Sequence, residues 1–277
     1  MINLFIEWNA DPTIINLLGF PIRWYGLCFA FAFLAGFQVV SYMFKKEGRP
    51  VEQADQLLIY TMVGTVAGAR MGHYFFYEFP LLVADPVRFF IQMITPPFSG
   101  LASHGAAIGL FVAYYLYTKK HKDQSYLYVT DRMVIAAALA GFFIRFGNLM
   151  NSEIIGKPTN LPWGFKFLRD MEFNPYGDPN LVLARHPSQL YEALSCLVLF
   201  ALLMWFWSKK KKDTQEGLMT SFFFIYIFGL RFFYEFLKEN QVSFEQNMSL
   251  NMGQILSIPA VLFGIGVLIY SNKKAKA

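Results

Sequence analysis

Long blocks of apolar residues, separated by short polar connections, dominate the sequence. Seven blocks approach the roughly 20 residues that a helix needs to cross a bilayer; they cover residues 24–44, 56–77, 100–117, 133–150, 189–208, 217–237 and 252–270. Because a bilayer offers no water to unpaired backbone groups, each block is expected to be helical. The pattern predicts an all-α polytopic membrane protein with seven transmembrane helices.

A further apolar stretch, residues 89–98, is too short to span a bilayer and contains Pro96 and Pro97. It is expected to lie along the membrane interface or to re-enter the membrane. No internal repeat is visible, which argues against a transporter built from inverted repeats. We therefore expect one integral membrane domain over residues 1–277.

Composition supports this class. The chain is 55% hydrophobic, 18% aromatic and 16% charged, whereas soluble proteins carry about 25% charged residues. This excludes a disordered chain and disfavours a soluble enzyme. Cys28 and Cys196 lie inside apolar blocks without metal or redox spacing, so we expect both to be small buried side chains.

The basic residues predict the orientation in the membrane. One set of alternate connections holds thirteen Lys and Arg residues and the other set holds six, spread over longer loops. The first set should be cytoplasmic, which places the N-terminus outside and the C-terminus inside. Residues 151–187 then face outward and are expected to form an ordered cap. The net charge of +5 comes mainly from these clusters, so no nucleic-acid partner is expected.

Ionisable residues inside the apolar blocks are few, and on this topology they share one depth. Each costs about 2.5–3.5 kcal/mol to insert at the bilayer centre, so each is a candidate functional residue. Side chains that merely reach for the interface would occur at both membrane faces. All seven instead fall in the external half, which predicts a polar site open to the outer leaflet: Arg70, His73, His104, Arg145, Glu192, Arg231 and Glu235.

Two arginines suggest what such a site would bind. Arg145 and Arg231 cannot neutralise each other, so they need acidic partners or an anionic ligand. Glu153, Glu192 and Glu235 could serve as partners in part. A planar guanidinium matches a phosphate better than an ammonium does.

The histidines leave alternatives open. His104 has Gly and Ala neighbours that allow close approach of another helix or of a substrate backbone. An imidazole can act as a general base near neutral pH, although a buried packing residue is the plainer interpretation. Arg70 and His73, three residues apart, could equally form a contact between helices. Ser103 cannot face His104 on a helix, which disfavours a serine hydrolase.

Other catalytic patterns are missing. The sequence contains no His-Glu-x-x-His zinc pair, no Walker loop and no dinucleotide fingerprint, so no metal or other cofactor is expected.

Six segments in order along the chain resemble the motifs of the bacterial prolipoprotein diacylglyceryl transferase family. Residues 145–156 are similar to its signature, Gly-Arg-x-Gly-Asn-x-x-Asn-x-Glu-x-x-Gly, and the others are residues 23–26, 103–105, 185–192, 231–236 and 252–257. The likeness covers almost the whole chain. Ile144 departs from the usual glycine, and Ile227 stands where the family usually has tyrosine. Tyr226 lies beside it, and whether it replaces that tyrosine stays open.

The resemblance implies a reaction. The family transfers the sn-1,2-diacylglyceryl group of phosphatidylglycerol to the lipobox cysteine thiol of a preprolipoprotein, forming a thioether and releasing glycerol phosphate. It implies a membrane-lipid substrate, a signal peptide as acceptor, and a place in the bacterial cytoplasmic (inner) membrane.

It also implies roles for individual residues. Those expected to be catalytic are His104, as general base, and Arg145 and Arg231, which would hold the phosphate. Those expected to bind or position the substrate are Tyr25, Arg145, Asn148, Asn151, Glu153, Gly156, Glu192, Arg231 and Glu235.

Two other functions compete with this one. A transporter or flippase for an anionic lipid would explain the intramembrane arginines, but it predicts polar residues through the full membrane depth. The predicted inner halves are almost uninterrupted apolar residues. A scaffolding membrane protein predicts no gathering of His, Arg, Glu and Asn at one depth.

Overall fold

The computed structural model describes residues 5–17, 19–95, 100–170, 172, 174, 178, 180–239 and 248–276. Its helices are α1 (Trp24–Lys46), α2 (Val51–Tyr77), α3 (Phe79–Ala84), α4 (Pro86–Ile94), α5 (Ser103–Lys120), α6 (Tyr126–Met150), α7 (Ser188–Lys210), α8 (Leu218–Tyr234) and α9 (Met252–Lys276). Four short strands are β1 (Ile6–Trp8), β2 (Thr13–Leu17), β3 (Phe20–Arg23) and β4 (Phe165–Phe167). Two 3-10 turns, Lys211–Asp213 and Glu235–Leu237, follow α7 and α8.

All seven predicted apolar blocks are helical in the structure. Among the described residues, five helices are long and apolar enough to cross a membrane: Trp24–Lys46, Tyr126–Met150, Ser188–Asp213, Leu218–Leu237 and Met252–Lys276. The protein is therefore a polytopic membrane protein. Helices α2 and α5 are not in this group; α2 carries Glu52, Asp55 and Arg70 along its length. The count of seven spans stays a prediction.

The apolar stretch at residues 89–98 is helical as far as Ile94, the last residue of α4. Asp85 begins this helix, since its carboxylate accepts a hydrogen bond from the backbone N–H of Arg88 and Pro86 occupies the first turn. Pro96 and Pro97 lie outside the described residues. The interfacial or re-entrant placement stays a prediction.

Four helices, α1, α5, α7 and α9, end in lysines. A cation in the last turn complements the negative end of the helix dipole. These are the helix ends whose connections are predicted to be cytoplasmic.

The chain divides into two compact units. One comprises residues 1–40 and 131–277 and the other residues 41–130, so the division falls inside α1 and α6. The expectation of a single domain stays a prediction.

The 41–130 unit is built on a close pairing of α2 with α5. A Cβ added at Gly68 would lie 2.5 Å from the carbonyl oxygen of Gly105 and 2.8 Å from the Cα of Gly109. Gly64 and Gly72 meet the same helix in the same way. Small residues at this spacing let two membrane helices approach to backbone contact, as expected for the glycines that follow His104.

The other unit carries an ordered loop at one end. Strand β4, inside the loop of residues 151–187, pairs in parallel with β1. Phe165 and Phe167 of β4 form a buried apolar cluster with Leu149 and Ile155. Trp8 packs against it and donates a hydrogen bond from its indole to the carbonyl of Leu149. The described part of this loop is thus structured, while its external location stays a prediction.

At the opposite end of α6, two buried charged residues form hydrogen bonds with backbone groups at the ends of neighbouring helices. The carboxylate of Asp131 accepts hydrogen bonds from the backbone N–H groups of Gly217 and Thr220, at the start of α8. The guanidinium of Arg132 donates to the carbonyl of Lys211, just after α7. Each charge has the sign that its helix end favours and satisfies groups that the helix leaves unpaired.

The α2–α5 contact predicts a large effect of adding a single methyl group. Gly68→Ala should lower the free energy of unfolding by about 1–3 kcal/mol, because the new Cβ would overlap backbone atoms that cannot move aside. Gly266→Ala in α9 is the matched control, since a Cβ there meets nothing within 4 Å. Denaturant unfolding in detergent micelles measures both, and equal stability of the two variants would contradict the packing.

Candidate active site

A chain of alternating charges links three helices of the unit that contains α6 to α9. Glu192 on α7 lies between two cations: its Oε2 is 2.7 Å from Nε of Arg145 on α6, and its Oε1 is 2.6 Å from Nζ of Lys238. The same lysine nitrogen is 2.9 Å from Oε1 of Glu235. That oxygen lies 3.6 Å from Nε of Arg231 on α8. The order is therefore Arg145, Glu192, Lys238, Glu235, Arg231.

The middle of this chain is buried and its two ends are open. The side chain of Lys238 is 1% exposed, whereas those of Arg145 and Arg231 are 21% and 36% exposed. Three cations face two carboxylates, so the five side chains of this charge chain together carry a net charge of +1. In the part of the protein that the structure describes, each arginine forms one ion pair. The open guanidinium ends can therefore accept an anion.

The start of α9 holds Glu235 in place. Asn251 and Gln254 form a reciprocal cap, in which each side chain accepts a hydrogen bond from the other's backbone N–H. The Asn251 amide also donates to Oε2 of Glu235 at 3.1 Å. A Cβ at Gly253 would lie 2.6 Å from Oε1 of Glu235, so glycine is required where the helix meets this carboxylate.

The segment after α6 folds around Glu153. The amides of Asn148 and Asn151 donate to its two carboxylate oxygens, at 3.2 and 2.6 Å. Ser152 and Ile154 have φ values of 53° and 57°, which are uncommon for residues with a Cβ. The result is a tight loop that presents amide and carboxylate groups at the end of α6.

The start of α7 anchors this loop. The hydroxyl of Ser188 donates to the carbonyl of Ile154 at 2.6 Å, and the amide of Gln189 donates to the carbonyl of Glu153. A Cβ at Gly156 would lie 2.5 Å from the carbonyl oxygen of His186. The loop thus passes so close to the segment before α7 that only glycine fits at this position. The substrate-binding role of Gly156 stays a prediction.

Tyr25 stands at the start of α1, next to α6. A Cβ at Gly147 would lie 3.1 Å from the Tyr25 ring, so the two helices are in close contact there. The phenol interacts electrostatically with Glu153 and Arg145. Tyr25 therefore belongs to the same cluster as the arginine and the loop.

Aromatic side chains contact one another around the start of α7. The hydroxyl of Tyr191 accepts a hydrogen bond from the indole of Trp163 at 3.0 Å and lies 3.3 Å from Nδ1 of His186. Burial lowers the pKa of His186, because desolvation disfavours the imidazolium. Burial of the ring therefore favours its neutral form.

His104 lies in the first turn of α5, in the 41–130 unit. Its ring makes edge contacts with Phe76 at 4.7 Å and is tilted against Tyr77 at 5.8 Å. Its Nε2 is buried and has no hydrogen-bond partner among the described residues. A buried polar atom of this kind needs an explanation, and a bound substrate would supply one. That His104 and the two arginines converge stays a prediction.

Arg70 and His73 make separate contacts inside the 41–130 unit. The guanidinium of Arg70 donates to the carbonyls of Gln92 and Met93 in the last turn of α4, at 2.6 and 3.0 Å. It also lies over the ring of Tyr74, 4.6 Å from the centroid. Nε2 of His73 is 3.8 Å from Glu78. For Arg70 these contacts support the interpretation as a link between helices.

The chain is similar to proteins of known family over almost its whole length. The family model described as prolipoprotein diacylglyceryl transferase matches residues 12–270. A Porphyromonas gingivalis protein named phosphatidylglycerol–prolipoprotein diacylglyceryl transferase is 40% identical over 275 residues, covering 97% of this chain and 95% of its own.

Relatives with the same name occur in other bacteria. The Tolumonas auensis protein is 40% identical over 267 residues, covering 96% of this chain and 98% of its own. The Bacteroides fragilis protein is 39% identical over 286 residues, with 98% and 97% covered. The chain belongs to the prolipoprotein diacylglyceryl transferase family.

Family membership confirms the resemblance that the motifs indicated. In this member of the diacylglyceryl transferase family, one cluster contains nine of the ten residues predicted to form the site: Tyr25, Arg145, Asn148, Asn151, Glu153, Gly156, Glu192, Arg231 and Glu235. Their roles in the transferase stay predictions. Within the described residues, no group of three or more His, Cys, Asp and Glu could hold a metal ion.

The lysine at the centre of the cluster in this family member was not among the predicted site residues. Lys238 was counted only as a loop charge, whereas its ammonium contacts both glutamates. Its position three residues after Glu235 was the available signal, because side chains at that spacing share a helix face. Asn251 was missed as well, although it immediately precedes the Met-Gly-Gln segment that resembles a family motif.

The buried charge chain predicts a large loss of stability on breaking it. Glu192→Gln should lower the free energy of unfolding by about 3–5 kcal/mol, because it leaves the buried Lys238 and Arg145 short of negative charge. Lys274→Gln breaks an exposed pair with Glu216 and should cost about 1 kcal/mol or less. Denaturant unfolding in micelles compares the two, and equal losses would contradict the assigned importance of burial.

Proposed function

We propose that this protein transfers the sn-1,2-diacylglyceryl group from phosphatidylglycerol to the lipobox cysteine of preprolipoproteins. Its membership of the family over residues 12–270 carries this conclusion. The charge chain adds a physical reason, because two half-open guanidinium groups at the ends of a cationic network suit an anionic lipid headgroup.

Arg145 and Arg231 would bind the phosphodiester of the donor lipid. One phosphodiester carries a single negative charge, which matches the net charge of +1 on the ion-paired chain. The ion pairs of Arg145 with Glu192 and of Arg231 with Glu235 would keep the two guanidinium groups near their carboxylate partners and so position them. As the lipid carbon–oxygen bond breaks, negative charge grows on the departing phosphate, and fixed cations stabilise it.

The loop after α6 would bind the glycerol headgroup. Asn148 and Asn151 already donate hydrogen bonds to Glu153. The remaining donor and acceptor positions of these amide and carboxylate groups suit hydroxyls. Oδ1 of Asn151 is buried and unpaired among the described residues, so it is available to accept a hydrogen bond from a glycerol hydroxyl. Tyr25 would donate to the headgroup or to the phosphate.

His104 would act as the general base. The cysteine thiol gives its proton to the imidazole, and the thiolate sulfur attacks the glyceryl carbon bonded to the phosphate oxygen. The sulfur–carbon bond forms as the carbon–oxygen bond breaks, and the electron pair leaves with glycerol phosphate. The proton then returns from the imidazolium to solvent or to the product. A phosphate ester is a stable leaving group, so no protein nucleophile is required.

The membrane arrangement that we propose has seven spans, with the N-terminus outside and the C-terminus in the cytoplasm. It adds α2 and α5 to the five apolar helices and follows the excess of Lys and Arg on alternate connections. The site then opens toward the outer leaflet of the bacterial inner membrane. A secreted precursor held in the membrane by its signal peptide would reach it there.

A lipid transporter is the weaker alternative. Transport would need polar groups along the whole path, and the charged residues at the far end of α6, Asp131 and Arg132, are occupied with helix ends. No observation favours a path past them.

Mass spectrometry tests the proposed reaction. A lipobox peptide incubated with phosphatidylglycerol and the purified protein should gain the mass of one diacylglyceryl group on its cysteine, with release of glycerol phosphate. A peptide with serine in place of the cysteine should gain nothing. An unmodified cysteine peptide in the presence of folded protein would refute the assignment.

The phosphate-binding role predicts that charge alone does not suffice at position 145. Arg145→Lys keeps the cation but loses the planar fork, and it should lower kcat/KM for transfer by about 10²-fold or more. Arg169→Lys is the control, because Arg169 forms an exposed pair with Asp11. Undiminished transfer by Arg145→Lys would rule out binding of the phosphate by two nitrogens of the Arg145 guanidinium.

The general-base role predicts a changed pH profile. His104→Gln should transfer about 10²–10⁴-fold more slowly than the wild type at pH 7. Because a cysteine thiol has a pKa near 8.5, the transfer rate of this variant should rise about tenfold per pH unit below pH 8. The wild type should depend less on pH in this range. His121→Gln, in the α5–α6 connection, is the control. Wild-type rates for His104→Gln from pH 6 to pH 8 would remove His104 from proton transfer.

A further inference from the structure

Lys238 is the most deeply buried ionisable group in the charge chain, and the proposed reaction gives it no role. Its side chain is 1% exposed, and its Nζ lies 2.6 Å from Glu192 and 2.9 Å from Glu235. An isolated ammonium in such surroundings would be costly. Two carboxylates compensate it, and both are the carboxylates that hold the arginines.

The backbone around Lys238 is fixed, so the ammonium cannot easily leave this position. The N–H of Lys157 donates to the carbonyl of Leu237 at 2.8 Å, and the N–H of Glu239 donates to the carbonyl of Ile155 at 3.2 Å. Arg185 ties the same segment down through Gly156 and Glu239. The lysine is thus held on both sides by the loop that follows α6.

The charge balance shows what the lysine contributes. Without it, two glutamates would face two arginines, and the charge chain would have no net charge. With it, each carboxylate divides its interaction between the lysine and one arginine. Glu153, a nearby acidic residue of the loop after α6, accepts hydrogen bonds from the amides of Asn148 and Asn151, and among the described residues it forms no ion pair with the charge chain.

We infer that Lys238 is a positioning residue that keeps the arginine site cationic, by taking up part of the negative charge of Glu192 and Glu235. The open guanidinium groups thereby stay available for the phosphate of the lipid donor. The inference rests on the proposed function, since it assigns Lys238 an effect on donor binding. It does not require the lysine to touch the lipid.

Four variants test this, with transfer kinetics as the readout. Lys238→Gln lowers the net charge of the charge chain from +1 to zero and should raise the KM for phosphatidylglycerol by about tenfold or more. It should weaken inhibition by added glycerol phosphate at least as much, because that product carries more negative charge. Lys238→Arg should restore both values to near wild type. Lys157→Gln removes an exposed lysine of the same region and should change neither.

The double variant Lys238→Gln/Glu192→Gln separates charge from geometry. It keeps Arg145, Arg231 and Glu235, so the net charge returns to +1. The KM for phosphatidylglycerol should fall back toward the wild-type value, whereas kcat should drop below that of the wild type because Arg145 has lost its carboxylate. A double variant whose KM equals that of Lys238→Gln would overturn the inference.

Folding and function can be told apart. Thermal unfolding in micelles shows which variants are folded. If Lys238→Gln is not folded, the folded double variant is compared with the wild type and with Lys238→Arg, and a KM for phosphatidylglycerol raised about tenfold or more in the double variant would overturn the inference. An unchanged KM in folded Lys238→Gln would also overturn the inference. A wild-type protein that transfers no diacylglyceryl group would instead refute the proposed function, whatever the variants do.

Discussion

Charge compensation in a medium of low polarity is the constraint on which the structure depends. An ammonium at the position of Lys238 has no water to stabilise it, so carboxylates must lie against it. Glu192 and Glu235 do so from two different helices, and each then meets an arginine. The positions of α7, α8 and the segment after α8 are thereby linked. The same contacts leave positive charge at the open ends, where an anionic lipid would bind.

The two ends of the helices around α6 show opposite uses of buried charge. At one end, Asp131 and Arg132 satisfy the backbone groups of helix ends, and their charges are used within the fold. At the other end, the arginines are only partly satisfied by glutamates, and the loop around Glu153 presents further polar atoms. A stable fold requires partners for buried charged groups, whereas a binding site requires charged groups that can still accept a ligand. The end of α6 near Asp131 and Arg132 therefore serves the fold, and the end near the arginines is suited to binding.

Much of this could be predicted from the sequence, for identifiable reasons. Apolar blocks of membrane length predict helices because the bilayer allows little else, and all seven blocks are helical. Charged residues inside such blocks are rare, which drew attention to Arg145, Glu192, Arg231 and Glu235. Lys238 was missed because it follows a block, where a lysine ordinarily faces water. The pairing of Glu192 with both Arg145 and Lys238 depends on how α6 and α7 pack, which spacing along the chain does not reveal. The function of Arg70 was also open, because a helical spacing of three is compatible with a site and with a packing contact.

The central claim is that Arg145 and Arg231 together hold the phosphate of the lipid donor. An experimental structure of the protein with bound phosphatidylglycerol, or with a non-reactive analogue, measures this directly. The account predicts phosphate oxygens at about 2.7–2.9 Å from nitrogens of both guanidinium groups, with Lys238 still between Glu192 and Glu235. A phosphate bound elsewhere, or contacted by neither arginine, would contradict it.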